Sequence, residues 1–249
     1  MSSNNARTAI VTGASKGLGA GVAKALAETG AAVVVNYRGD AAGAERVVAD
    51  ITGKGGRAIA VQADVAGRDD VRRLFDRARE AYGPVDVLVN NAGVATFTPL
   101  SGITEEQFQR TMATNLLGTI LSTQALAAQD DIDSASIINV STAGTVTHPA
   151  YAALYVASKS AVNAFTVVAA KELGPRGIRV NAIMPGPSDT EGTRTMGYAG
   201  SEQQGQDIAA TPLGRTGTPD DYGPLVAFLA SEDARWITGD VILASGGLR

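Results

Sequence analysis

The stretch "TAIVTGASKGLGAGVAKAL" (residues 8–26) changes character halfway. Thr8–Val11 is a short apolar and β-branched run, the pattern of a strand. From Leu18 onward the apolar positions fall at Val22, Ala25 and Leu26, one face of a helix. Gly13, Gly17 and Gly19 stand at the join. Glycines there permit a tight turn and close backbone approach, so a pyrophosphate can rest on the unpaired N–H groups of the helix start. The spacing is G-x-x-x-G-x-G rather than the commoner G-x-G-x-x-G, and no Gly-Lys-Ser/Thr ends it as in a triphosphate loop. By itself the cluster is either a structural turn or a cofactor cradle.

The same alternation runs along the whole chain. Residues 31–37, 57–65, 85–93, 135–142, 178–186 and 240–247 read as further strands, several of them apolar without alternation, as burial on both faces requires. Between them Val71, Leu74, Phe75 and Ala78 share a helical face, and "TEEQ" (104–107) fits a capping box opening a third long helix. Unbroken strand–helix alternation predicts an α/β fold, a Rossmann-type doubly wound sheet of seven parallel strands with helices on both faces. No linker interrupts it, so residues 1–249 read as a single domain. Residues 187–212, rich in Gly, Ser, Thr and Gln, form the one long irregular stretch and read as a lid over a substrate.

Composition narrows the function classes. The 249 residues are 45% hydrophobic and 18% charged, with a formal net charge of −4, which argues against nucleic acid or an anionic membrane as main partner. No apolar run approaches the roughly 18 residues of a membrane span, and the chain start, "MSSNNA", holds no apolar leader core. A cytoplasmic location is expected. With no cysteine and a single histidine, His148, thiolate chemistry and a His- or Cys-based metal site are excluded.

"LYVASK" (154–159) places Tyr155 one helical turn before Lys159. Such a pair is often no more than a surface contact. However, "TGASKGLG" (12–19), "NNAG" (90–93), Asn115 in "ATNLLG", "INVST" (138–142), "YVASK" (155–159) and "PG" (185–186) stand in the order and at the distances of one family. In these motifs the chain resembles the compact, single-domain short-chain dehydrogenases/reductases over residues 6–247. The closest look is to bacterial 3-oxoacyl-thioester reductases and glucose-dehydrogenase-like members.

The resemblance implies an NAD(P)-dependent oxidoreductase that interconverts a ketone and a secondary alcohol, with Tyr155 as acid and base. A free phenol titrates near pH ~10; a neighbouring ammonium favours the phenolate and is expected to lower that value. By resemblance Lys159 also binds the ribose, and Asn115 holds a proton-relaying water as well as kinking its helix. Gly13, Ser15, Lys16, Gly17, Leu18 and Gly19 then cradle the cofactor, with Asn91, Ala92 and Gly93 beside them. Asp64 and Val65 meet the adenine, and Pro185, Gly186, Ser188 and Thr190 cover the nicotinamide end.

Where relatives that prefer NAD carry an acid, this chain has Tyr37, followed by Arg38, with Lys16 in the glycine turn. Two cations can clamp a 2′-phosphate, so NADPH/NADP is expected in preference to NAD; alternatively they are solvated surface charges. Asp40 is out of register for the NAD-selecting acid. Relatives place a serine thirteen residues before the tyrosine, where this chain has Thr142. The substrate-binding hydroxyl is assigned to Thr142, or to Ser141 reached through a bulge. His148 and Tyr151 either line the pocket or are plain loop residues.

The expected partners are a small carbonyl or alcohol substrate and further copies of the chain, as a homotetramer or dimer through residues 104–129, 152–173 and the last strand. Alternative substrates are sugars, steroid-like or other small alcohols. A non-catalytic NADP sensor is disfavoured because both Tyr155 and Lys159 are present. A sugar-nucleotide epimerase would need a further domain.

Overall fold

The computed structural model describes residues 7–249; the expectation about a leader core in "MSSNNA" lies outside them. Seven strands form one parallel sheet: β1 (Thr8–Val11), β2 (Ala32–Tyr37), β3 (Arg57–Gln62), β4 (Val87–Asn90), β5 (Ala135–Val140), β6 (Ile178–Pro185) and β7 (Val241–Ala244). Their order is β3-β2-β1-β4-β5-β6-β7, the doubly wound arrangement anticipated above. The winding reverses between β1 and β4, and a crevice opens outside the carboxyl ends of strands at such a switch.

The helices are α1 (Gly17–Glu28), α2 (Ala41–Gly53), α3 (Arg68–Tyr82), α4 (Glu105–Met112), α5 (Gly118–Ala127), α6 (Gly144–Thr147), α7 (Ala153–Leu173), α8 (Glu191–Thr195), α9 (Glu202–Ala210) and α10 (Pro219–Ala230). Strand side chains alternate between the two sheet faces. Val11, Val33 and Val89 pack with Val22 and Leu26 of α1, Val47 of α2 and Val226 of α10. Ile10, Val34 and Leu88 pack on the other face with Leu74 and Phe75 of α3, Leu121 of α5 and Ala169 of α7. Two cores explain why the strands are apolar without alternation. Each fully buried Ile or Leu, such as Ile10 or Leu88, contributes about 1.5–3 kcal/mol.

Three expectations need correction. The strand read to residue 142 ends at Val140, because the chain turns there toward α6. The third long helix opens at the Thr104–Gln107 capping box as expected, but a π-helical turn over Ala113–Leu117 divides it into α4 and α5. Residues 187–212 are not irregular: Thr190 and Ser201 cap α8 and α9, and Asp189 and Gly217 pair at the base of the segment, where the Asp189 N–H donates to Gly217 O at 2.8 Å. Short polar helices with few apolar positions give no clear periodicity, which is why they were missed.

Residues Ala153–Arg176 are long and apolar enough, at mean hydropathy 1.3, to cross a membrane by length and composition alone. Leu154, Val162, Thr166 and Ala170 of this helix are buried within the fold, so it is a core helix.

Candidate active site

The glycine turn is held by Asn91, expected at this site, and by Asn36 and Thr12, to which no role was assigned from the sequence. Gly13 has φ +61°, and a Cβ there would come within 2.9 Å of Ala92 Cα. A Cβ on Gly19 would meet Asn91 Nδ2 at 2.5 Å, so both positions need glycine. Asn36, buried in β2, accepts from Gly13 N at 3.1 Å through Oδ1 and donates to Val61 O and Ala63 O. Thr12 Oγ1 accepts from Asn91 N and Ala92 N, each at 3.0 Å, while Asn91 Nδ2 donates back to Thr12 O and Gly13 O. The signal for Asn36 was a lone amide in an apolar strand, which must find partners when buried. α1 starts at Gly17 with Lys16 extended before it and no side chain capping its first N–H groups. Such a start suits a phosphate.

At the outer end of the crevice Tyr37 closes β2, and the exposed Arg38 stands 3.9 Å from Asp64 across the gap. Lys16 is exposed nearby in the turn, beside Ser15 and Leu18. Asp40 is the N-cap of α2, accepting from Gly43 N at 2.9 Å, so its carboxylate is engaged as a cap. Asp64 Oδ1 accepts from Ala66 N at 3.0 Å. Val65 is buried, 2.7 Å from where a Cβ on Gly118 would stand.

At the inner end a cleft of about 280 Å³ is lined by Gly93, Ser141, Thr142, Tyr155, Lys159 and Thr190, with Asn91, Pro185, Gly186 and Ser188 at its walls. A larger hollow of about 670 Å³ lies between α3 and α5, away from all of these residues. The smaller cleft holds the chemistry.

Tyr155 and Lys159 sit one turn apart on α7. Burial pushes the Tyr155 phenol up, and the Thr142 hydroxyl beside it partly offsets the rise. This corrects the expectation that Lys159 sets the phenol low. Lys159 is 4% exposed, its ammonium donates to Val140 O at 2.7 Å, and burial brings it down to about 8. Desolvation sets the direction for both groups.

Thr142 Oγ1 accepts from Gly144 N at 3.1 Å and faces the phenol, while Ser141 Oγ donates to Lys159 O at 3.3 Å. The Ser141 hydroxyl is thus spent on the main chain of α7. Asn115, fully buried in the π turn, accepts from Val94 N at 2.8 Å and donates to Val94 O and Ser158 Oγ. Ser158 Oγ in turn donates to Tyr155 O at 2.7 Å. Ser158 was not singled out from the sequence. Nor was Phe97, whose ring lies 6.3 Å from that of Tyr155 at a 52° tilt.

Ser188 Oγ donates to Gly186 O and lies 2.8 Å from the buried Tyr222 hydroxyl. Thr190 caps α8 reciprocally with Thr193. His148 and Tyr151 are both exposed and left-handed, at φ 49° and 64°, and neither lines the cleft. Tyr151 O accepts from Thr98 N at 2.7 Å, which ties it to the loop carrying Phe97.

A family model described as enoyl-(acyl carrier protein) reductase matches residues 13–249. The chain is 52% identical to an oxidoreductase of Methylorubrum extorquens, over 100% of both chains. It is 41% identical to a 3-oxoacyl-[acyl-carrier-protein] reductase of Synechocystis sp., over 100% of this chain and 99% of that one. Among solved structures it is similar to a blue fluorescent protein from a metagenomic library in complex with NADPH. That likeness has TM-score 0.91 and 38% identity over 98% of each chain.

Proposed function

The chain belongs to the short-chain dehydrogenase/reductase family, whose members act on CH–OH and carbonyl groups, and from that premise we propose that it reduces a ketone to a secondary alcohol with NADPH. The observation that carries this reading is one wall of side chains, Thr142, Tyr155 and Lys159, lying beside a glycine turn that a dinucleotide fits. NADPH, when bound, supplies the hydride. Tyr155, kept protonated by burial, gives its proton to the carbonyl oxygen. Thr142 donates a hydrogen bond to the same oxygen and so holds it in line.

Lys159, fixed on Val140 O, keeps donors free for ribose hydroxyls and for the phenolate that Tyr155 becomes. The water relay through Asn115 would use the second lone pair of Oδ1 or a carbonyl of the π turn, since both amide hydrogens are engaged. Lys16 and Arg38 favour the 2′-phosphate of NADPH over NAD, and the likeness to an NADPH-bound structure supports that choice. Residues 187–212 act as the lid. Exposed Phe108, Val168 and Trp236 support a dimer or tetramer. A cytoplasmic location, where NADPH is supplied, belongs to the same reading.

Carbonyl classes compatible with this reading are a 3-oxoacyl thioester, as for the 3-oxoacyl reductase that the chain resembles, and the ketones of sugars, steroid-like or other small alcohols. The test is NADPH consumption against a carbonyl panel. Tyr155→Phe should abolish turnover while NADPH fluorescence still reports binding. Equal turnover by Tyr155→Phe would refute the assigned role, and NADPH binding without turnover of any carbonyl by the natural protein would favour a sensor.

A further inference from the structure

Three segments reach the cleft and lead out from it: 94–104 through Val94 and Ala95, 142–153 through Thr142, and 187–215 through Ser188, Thr190 and Thr193. The first two hold no Lys, Arg, Asp or Glu at all. The third holds four carboxylates, Asp189, Glu191, Glu202 and Asp207, against two arginines. Both arginines are spent: Arg194 binds Asp189 through Nε at 2.7 Å and Nη2 at 2.9 Å, and Arg215 binds Asp221 at 2.7 and 2.6 Å. No guanidinium or ammonium on these segments is left to meet an anion.

Apolar surface stands in their place. Phe97 is 57% exposed while its ring rests near Tyr155, Tyr151 is 65% exposed and Met196 beside α8 is 56% exposed. Tyr151 is held in the left-handed region, which is strained for a non-glycine residue. Its carbonyl accepts from Thr98 N, which ties residue 151 to the loop that carries Phe97.

We infer that the substrate is a free, uncharged, apolar ketone, and that Phe97, beside the Tyr155 ring, selects it. A thioester of coenzyme A or of an acidic carrier protein would bring phosphates and carboxylates to a mouth with no free cation and excess negative charge. That approach is repelled and its anions stay unpaired. The inference rests on the ketone-reductase reading and narrows it.

The experiment compares three ketones under NADPH: trans-1-decalone, acetoacetyl-N-acetylcysteamine and acetoacetyl-coenzyme A. The last two share the acetoacetyl thioester, and only the coenzyme A ester carries phosphates, on its longer pantetheine and adenosine arm. The two uncharged ketones should show kcat/KM at least about tenfold above the coenzyme A thioester. Phe97→Ser should raise KM for decalone at least about tenfold with a smaller change in kcat, and Phe97→Lys should move preference toward the coenzyme A thioester. Equal or better use of acetoacetyl-coenzyme A by the natural protein would overturn the inference and leave the ketone-reductase reading standing. No NADPH consumption with any of the three, with NADPH bound, would overturn both.

Discussion

The ammonium of Lys159 donates to the main-chain carbonyl of Val140 at 2.7 Å, at the point where β5 ends. The sheet, rather than the tyrosine one turn away, therefore fixes where this charge sits. Burial brings the group down to about 8, so it is cationic below that pH and neutral above it. If the charge stabilises the phenolate of Tyr155 and binds ribose, kcat/KM for ketone reduction should be level below about pH 8 and fall above it. Lys159→Met should lose roughly 10²–10⁴-fold and show no break near 8. A profile of the natural protein that stays level through 8 would count against this role.

Thr142→Ala should raise the barrier to turnover by about 2–4 kcal/mol, the usual loss on removing a preorganised donor. Thr142→Ser should stay active, since the hydroxyl is kept. Ser141→Ala should lower the melting temperature more than the rate, because that hydroxyl serves the main chain of α7. Steady-state kinetics and thermal unfolding of the three variants separate the roles; an inactive Ser141→Ala beside a normal Thr142→Ala would reverse the assignment.

Arg38→Asp should raise KM for NADPH at least about tenfold and bring NADH to parity or better. Lys16→Ala should act in the same direction more weakly. The natural protein using both cofactors with equal kcat/KM would remove the basis for this prediction.

Asp86 lies at the amino end of the central strand β4, where burial pushes its carboxyl up to about 6 and the nearby Arg7 only partly counters this. A raised carboxyl favours folding where it is protonated, and that contribution is lost as pH rises from the unfolded value of 3.8 toward 6. Unfolding free energy should therefore carry a falling component of at most about 3 kcal/mol across that window. Urea unfolding at several pH values should show Asp86→Asn removing this component; an unchanged slope in the variant would contradict the assignment.

Sedimentation at micromolar concentration should find a dimer or tetramer. Val168 is 52% exposed on α7 and Phe108 is 51% exposed on α4, and Val168→Glu should shift the protein toward monomer. A natural protein that sediments as a monomer would end the proposal.

The fold was legible because its signals are local. Strands buried on both faces must be apolar throughout, and the join at Gly13, Gly17 and Gly19 marks the first crossover whatever surrounds it. The hydroxyl assignment was legible for an incomplete reason. A strand running to residue 142 would put Ser141 and Thr142 on opposite faces, yet both lie beyond Val140, where strand alternation no longer applies. What separates them is that one serves Lys159 O and the other faces Tyr155.

By itself the sequence determined the parallel α/β sheet, the glycine turn and the Tyr155–Lys159 spacing, since each depends on residues near one another in the chain. Only the tertiary structure decided how Asn36 and Thr12 clamp the turn, that the phenol is pushed up rather than down, and that the arginines beside the mouth are already paired. These depend on what lies within a few ångströms across the fold. Desolvation and pairing are properties of surroundings, and surroundings do not exist until the chain has folded.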